Sequence, residues 1–505
     1  MHLDRRIFMG GGVALGAASV AGSVSAEAKR RSDGIWLSAH EFGIKAGLEA
    51  DQSNSLQRAI DTAAKRDVPL HIPAGRYRAA NLQLRSGAIL LGIPGATTIE
   101  FSGRGNVLRA QSAEGLHIEG IIFDGAHRLL DVNRGMDALI TFTDCSRVRL
   151  DNIVCRNSLL NGASLRGVSG SIWRSTFEHC GNTGLFVLDA NGVDITHSHI
   201  AHCGNNGVQV WRSSPGEDGT IVTNNRIENI KAKSGGSGQN GNGINMFRAD
   251  AVLVSANRIT DCAFSAIRAN ASSNCQMIAN SCTRLGEVAL YAEFGFQGAL
   301  IAQNVVDTAA TGIVVTNFNE GGRLAVVEGN LVRNLFRREL SEDERGNGIA
   351  VEADTAVTGN VIENAPSAGI AIGWGKYMRS ATVTGNIVRQ ANIGIAVSAD
   401  RSAGHVLLAN NVIDLAPAGA IRTMDLDRPI GPDLARSNAR PAGSITLQGN
   451  NRSQQFGRCT SRVNQADCKA WRSVSEACSC PTTRPRQFLR TRSARSAIKC
   501  IASGT

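Results

Sequence analysis

Aromatic residues make up only 5% of the chain, with three tyrosines and five tryptophans. A surface of interleaved rings and basic residues for stacking nucleic-acid bases is therefore excluded over most of its length. Prolines number only 11 while 42% of residues are apolar, a combination that rules out a Pro/Gly-rich disordered chain. Beyond residue 24 no apolar run approaches the length needed to cross a membrane. The formal charge of +10 is also missing from the body of the sequence. Residues Glu27 to Asn451 hold equal numbers of basic and acidic side chains, and the surplus lies in the two ends. A neutral body points to no nucleic-acid partner. No clustered aspartates with calcium-ligand spacing occur, and Gly241-Asn242-Gly243 lacks the strand-turn-helix context of a phosphate loop, so neither a metal nor a cofactor is expected.

What is present is glycine, 55 of 505 residues, placed at a recurring interval. A small residue followed by an apolar-x-apolar triplet recurs at Gly162, Gly184, Gly207, Gly243, Ala266, Ala289, Gly312, Gly348, Gly369, Gly394 and Ala420. The spacing is roughly 23 residues, the signature of a solenoid whose coils each cannot bury a core alone. Two enlarged intervals predict insertions at Ser213 to Gly241 and near Arg337 to Asn347. A second column, half a coil away, runs through Asn257, Asn280, Asn304, Asn330, Asn360, Asn386 and Asn411. Asparagine at one corner tolerates a left-handed bend and can ladder its amide between coils, so this column reads as structure. Cys180 and Cys203, one coil apart, read as stacked buried residues rather than as a disulfide or metal site.

The period predicts an all-β, single-stranded right-handed parallel β-helix over residues 75–451. An N-terminal segment, 27–74, contains a capping helix in which Leu56, Ile60 and Ala63 or Ala64 recur at helical spacing. Such a cap protects the exposed first edge of a solenoid. Residues 1–26 contain Arg5-Arg6-Ile7-Phe8-Met9, a weakly apolar Gly/Ala stretch and Val24-Ser25-Ala26. This resembles a twin-arginine signal peptide cut after Ala26, although Asp4 departs from the usual Ser or Thr. A membrane anchor is the competing reading, and the segment is short and broken by glycine. The expected location is periplasmic or secreted, with the twin-arginine export machinery as a partner and no membrane span after processing. Residues 452–505 are basic, carry Cys459, Cys468, Cys478, Cys480 and Cys500, and follow no repeat. They read as a disulfide-stapled appendage, a disordered tail or an aberrant segment. Cys478-Ser479-Cys480 lacks the second ligand pair of a metal site.

The stretch Pro73-Ala74-Gly75-Arg76-Tyr77, with Leu84-Arg85-Ser86-Gly87 and Ile89-Leu90-Leu91-Gly92 after it, resembles the opening of pectate-lyase-like β-helix proteins. Residues 1 to about 450 as a whole resemble an uncharacterised family of twin-arginine-exported bacterial repeat proteins with that fold. The resemblance implies fold and export and carries no established reaction. The Asn-Thr-Asp, Asp-Asp and Gly-His-Gly motifs of polygalacturonase-type hydrolases are absent.

Counting from each repeat glycine, positions +2 and +4 should project outward on one sheet face. The polar members cluster in the middle coils: Gln209, Asn245, Arg268 and Tyr291 at +2, and Trp211, Asn270, Glu293 and Glu352 at +4. The turn residues Arg212, Arg248, Asn317 and Asp354 adjoin them, and both insertions border the zone. The later coils offer Ala and Gly. Arg268, Tyr291 and Glu293 are therefore the catalytic candidates for β-elimination, which needs a base and a cation beside the substrate carboxylate. Gln209, Trp211, Arg212, Asn245, Arg248, Asn317, Glu352 and Asp354 are the substrate-binding candidates, the rings suited to sugar faces and the polar groups to hydroxyls. Glu293 and Glu352, two coils apart, form an alternative hydrolytic pair. An ion-paired ladder that merely solvates the face is the competing structural reading. The expected function is binding or processing of a polysaccharide, acidic polymers included, or of a cell-envelope glycan. If the protein is an enzyme, a lyase is favoured over a hydrolase. The alternative is a noncatalytic envelope scaffold or adhesion protein.

Overall fold

A computed structural model describes residues 36–132, 137–236, 238–338, 346–436 and 444–452. The expected leader and the cysteine-rich tail lie outside these residues. The chain winds as a right-handed parallel β-helix in which each coil contributes three short strands. One coil consists of Leu253–Ser255, Arg258–Cys262 and Ile267–Asn270, which define a first, second and third face. The next coil pairs with all three in parallel, Val254 with Met277, Ile259 with Cys282, and Arg268 with Tyr291. On the first face sixteen strands follow in coil order from Leu37–Ser38 to Ile445–Gln448. Alternation explains the core, since every second residue points inward and stacks on its equivalent one coil on. Val254, Met277 and Ile301 form one such buried stack and Ile259, Cys282 and Val306 another.

The repeat glycines sit where coils approach most closely. A Cβ at Gly312 would lie 2.3 Å from the Gly348 carbonyl oxygen and 2.4 Å from Val332 Cγ1. Glycine is needed there for lack of space, not for a left-handed conformation.

The asparagine column is a continuous hydrogen-bond ladder. Asn280 Nδ2 donates to Asn304 Oδ1 at 3.1 Å and to the Val254 carbonyl at 3.0 Å, while its Oδ1 accepts from the backbone N–H and the Nδ2 of Asn257, each at 3.0 Å. The ladder extends beyond the expected set to Asn225 and Asn450. Upstream, Ser198 and Ser175 continue it with hydroxyls. The expectation for the bend is corrected. The left-handed residue is the one preceding each ladder asparagine: Ala256 (φ 55°), Ala279 (φ 57°), Gln303 (φ 58°), and glycine at 329, 359 and 385. The ladder amides must point inward to stack, so the neighbour takes the turn.

The expected single insertion at Ser213 to Gly241 is two separate excursions. The strand Asn206–Glu217 bulges between Trp211 and Gly216, and residues 231–241 loop out after the second face. Between them Ile221–Thr223 and Arg226–Ile230 keep regular register.

The N-terminal edge is closed by a helix, Ser53–Lys65, that buries Leu56, Ala59, Ile60 and Ala63. Its Gln57 mimics a missing strand: Nε2 donates to the Gln83 carbonyl at 3.0 Å and Oε1 accepts the Gln83 N–H at 2.8 Å. Ser53 Oγ takes the Ala80 N–H at 2.8 Å. An edge that would otherwise offer unpaired backbone groups is satisfied. Among the described residues seven cysteines, including Cys180 and Cys203, are buried free thiols. Burial pushes Cys275 and Cys282 up to about 12, which leaves them inert as nucleophiles. Among the described residues no helix is long and apolar enough to cross a membrane, and no group of His, Cys, Asp and Glu is arranged to hold a metal.

Candidate functional site

On the third face one outward column runs in register through Gln209, Asn245, Arg268, Tyr291, Val314, Ala350, Ala371, Ala396 and Arg422. Strand alternation aims these side chains away from the core, because Val208, Val210, Ile267 and Ala269 occupy the inward positions. The column is bulky at both ends and reduced to methyl groups between. Its early half forms a packed polar cluster and its later half a trough.

In the cluster Arg268 is 6% exposed and Glu293 2%. The guanidinium grips the carboxylate with both arms, Nε to Oε1 at 2.6 Å and Nη2 to Oε2 at 2.8 Å. Its Nη1 donates to Glu287 Oε2 at 3.2 Å, and the group lies 4.8 Å from the Tyr291 ring centre. Asn270 Nδ2 adds a bond to Glu293 Oε1 at 2.9 Å. Arg338, from the second insertion, reaches Glu287 Oε1 at 3.2 Å and lies over the Phe264 ring. Burial disfavours the Arg268 charge, but the bonds from Glu293 outweigh it and its pKa ends above the ordinary arginine value. The reading of a solvated surface ladder does not hold for this pair, which is withdrawn from water and fixed in one geometry.

One coil step toward the N-terminus of this cluster, Trp211 Nε1 donates to Asn245 Oδ1 at 2.7 Å, and Asn245 Nδ2 donates to the Gly238 carbonyl of the looped segment at 3.1 Å. The Trp211 ring sits edge-on between Phe186 and Phe247 at 5.8 and 5.7 Å. Gln209 is buried and accepts from Thr183 Oγ1 at 2.7 Å. Arg248 lies over Phe247 and donates to the Ser213 carbonyl at 3.2 Å. Arg212 turns to the corner, donating to the Ala190 carbonyl at 3.1 Å.

The trough is a groove of about 580 Å³. Its floor is Ala350, Ala371 and Ala396, its flank carries Glu352 and Trp374, and a hairpin, Ile421–Asp425 with Arg428–Ile430, closes the far end with Asp427 and Pro429. Of the sequence candidates only Glu352 lines it, with one oxygen accepting the Phe318 N–H at 2.6 Å. Asn317 (φ 82°) begins the short 3-10 turn Phe318–Glu320 that supplies this donor. Asp354 lies outside the groove, between Arg323 (3.1 Å) and Arg379 (2.9 Å). The Arg379 bond holds its carboxyl below the ordinary aspartate range. Sequence reasoning passed over Trp374 and Asp427, which stand in a turn and a hairpin outside the repeat. Their available signal was the departure from the 23-residue pattern after Gly373.

The fold and these columns define a parallel β-helix with a lateral groove. The chain belongs to the right-handed β-helix region family, whose profile matches residues 134–236 and 216–413. Comparison with curated proteins gave no match. Among solved structures it is similar to the N-terminal fragment of bacteriophage phi29 gene product 12, with a TM-score of 0.45 and 13% identity over 82% of this chain and 70% of that one. It is similar to the catalytic unit of a GH87 alpha-1,3-glucanase from Streptomyces thermodiastaticus, with a TM-score of 0.41 and 15% identity over 83% and 69%. The A-module of the Azotobacter vinelandii mannuronan C-5 epimerase AlgE4 is similar at a TM-score of 0.32 and 14% identity over 84% and 98%. These are likenesses of the solenoid and carry nothing to the site.

Proposed function

We propose that the protein binds a polysaccharide along its third face, seated in the groove floored by Ala350, Ala371 and Ala396. The supporting observation is the trough itself. Three coils give up their outward side chains at one register position, and an indole, two carboxylates and a hairpin stand around the gap. A flat apolar floor with an aromatic flank suits a sugar face, and Glu352 and Asp427 suit its hydroxyls. Arg268 is a positioning group in this reading. A guanidinium chelated by two carboxylates is unsuited to proton abstraction, and it fixes Glu293 and Tyr291 on the same face, with the Val314 coil between Tyr291 and the groove floor. Processing of the glycan draws on Glu352 and Asp427 within the groove; without it the protein is a glycan-binding envelope scaffold.

The test is a titration of the purified protein with neutral and uronate oligosaccharides, followed by tryptophan fluorescence and calorimetry. Release of new reducing or unsaturated ends is measured in parallel. Trp374→Ala should weaken binding of the neutral oligosaccharides at least tenfold. Retention of full affinity for the neutral oligosaccharides in this variant would overturn the groove. We also propose export through the twin-arginine route to the periplasm or medium, supported by Arg5 and Arg6 ahead of the weakly apolar segment. Arg5→Lys with Arg6→Lys should retain the precursor in the cytoplasm.

A further inference from the structure

The second face carries a column of its own. Its first outward position reads, coil by coil and in register, Thr176, His199, Arg226, Arg258 and Ser281, then Val305, Leu331, Val361, Ile387 and Val412. Two arginines therefore stand on adjacent coils at the same position, with backbones about 4.8 Å apart. Like charges directly opposite one another are unfavourable. The protein avoids this elsewhere by giving an arginine a carboxylate from a neighbouring coil: Arg156 with Asp124 at 2.8 Å, Arg284 with Asp261 at 2.6 Å, Arg333 with Asp307 at 2.8 Å. Among the described residues the guanidinium groups of Arg226 and Arg258 have no such partner.

Both line a concavity of about 710 Å³ whose other charged or titratable walls are Arg174, His197 and His199, with no carboxylate in the lining. The nearby acids are already engaged. Asp151 holds Arg149 and Arg174, each at 2.9 Å, and Glu228 holds His199 at 3.0 Å. At the rim Trp173, 36% exposed, carries Arg174 over its ring at 3.9 Å. Two uncompensated guanidinium groups at the wall of a hollow larger than a single ion form a receptor for an oxyanion attached to something bulkier.

We infer that this concavity is a second binding site, for a saccharide bearing an oxyanion, with the anionic group held between Arg226 and Arg258. It lies on a different face from the alanine groove and stands independently of it. Two free cations in a body of zero net charge favour a sparsely charged glycan over a nucleic acid, whose affinity rests on many phosphate contacts.

The experiment uses the full chain and three probes at low salt: an oligogalacturonate, a sulfated oligosaccharide and a neutral maltooligosaccharide. The wild type should bind one or both anionic probes with an affinity that falls as salt rises, and the two anionic arms separate carboxylate from sulfate. Arg226→Ala with Arg258→Ala should lose at least tenfold in affinity, and the double lysine variant should recover part of it. Trp374→Ala should leave the salt-sensitive part of this binding, the part lost in the double alanine variant, unchanged. The alanine variant should also melt no lower than the wild type at low salt, because a like-charge contact has been removed. Unchanged affinity for the anionic probes in the double alanine variant, or anionic binding that salt does not weaken, would overturn the site. Displacement of the sugars by a single-stranded oligonucleotide of higher affinity would overturn the saccharide assignment.

Discussion

Arg268 reaches diagonally across one coil step to Glu293 with two hydrogen bonds of 2.6 and 2.8 Å, both side chains withdrawn from water. Removing Glu293 takes away the two shortest bonds that compensate the buried guanidinium and leaves it leaning on Glu287 at 3.2 Å. Glu293→Ala should therefore destabilise the protein by about 3–5 kcal/mol, whereas an apolar pair such as Arg268→Met with Glu293→Leu should recover much of that loss. Urea unfolding of the two variants measures the difference. Equal destabilisation by both would show that the pair contributes through packing alone.

The ladder asparagines make a second, independent prediction. Asn304 Oδ1 accepts both the N–H and the Nδ2 of Asn280, so Asn304→Ala orphans two buried donors. Each costs roughly 1–3 kcal/mol. The same substitution at Asn54, an exposed residue of the capping helix, should change stability by less than about 0.5 kcal/mol. Denaturant midpoints of the two variants provide the comparison.

These two cases separate what was legible in the sequence from what was not. The ladder was readable because one residue type must recur at one register position for amides to stack, and recurrence survives the insertions. The left-handed bend was misplaced by one residue because the residue that takes it varies, Ala256, Ala279 and Gln303 in some coils and glycine at 329, 359 and 385 in others, whereas the asparagine beside it recurs. Arg268, Tyr291 and Glu293 were brought together by counting alone, since register fixes which outward side chains are neighbours. The alanine groove was hidden for the opposite reason. Ala350, Ala371 and Ala396 look featureless in a search for chemistry, yet a missing side chain between bulky neighbours is what makes a cavity. Its flanks, Trp374 and Asp427, come from a turn and a hairpin whose placement depends on tertiary packing.

Acid should unfold the protein partly through its cross-coil Arg–Asp pairs. The Arg379 bond, against a cost from burial, lowers the Asp354 pKa in the folded chain relative to an unfolded value near 3.9. A depressed folded pKa means that the stabilisation is fully present above the unfolded pKa and is lost as pH falls through the folded one. Asp354→Asn should therefore be less stable than the wild type at neutral pH, and the gap should close as pH drops below about 4. Thermal melts at pH 7 and pH 3 test this. A gap of constant size would mean that the carboxylate charge contributes nothing.

Filling the groove floor is the most direct test of its role. At equivalent positions the column already holds Val314, Tyr291 and Arg268, so the backbone accepts a larger side chain at Ala371 without distortion. Leucine there projects into the open trough rather than into the core. Ala371→Leu should leave stability within about 0.5 kcal/mol of the wild type, as substitutions away from packed sites do. It should nevertheless abolish oligosaccharide binding in the groove while leaving the Arg226–Arg258 concavity untouched, because the two lie on different faces. A folded Ala371→Leu protein that binds neutral oligosaccharides as tightly as the wild type would move the glycan site elsewhere on the solenoid.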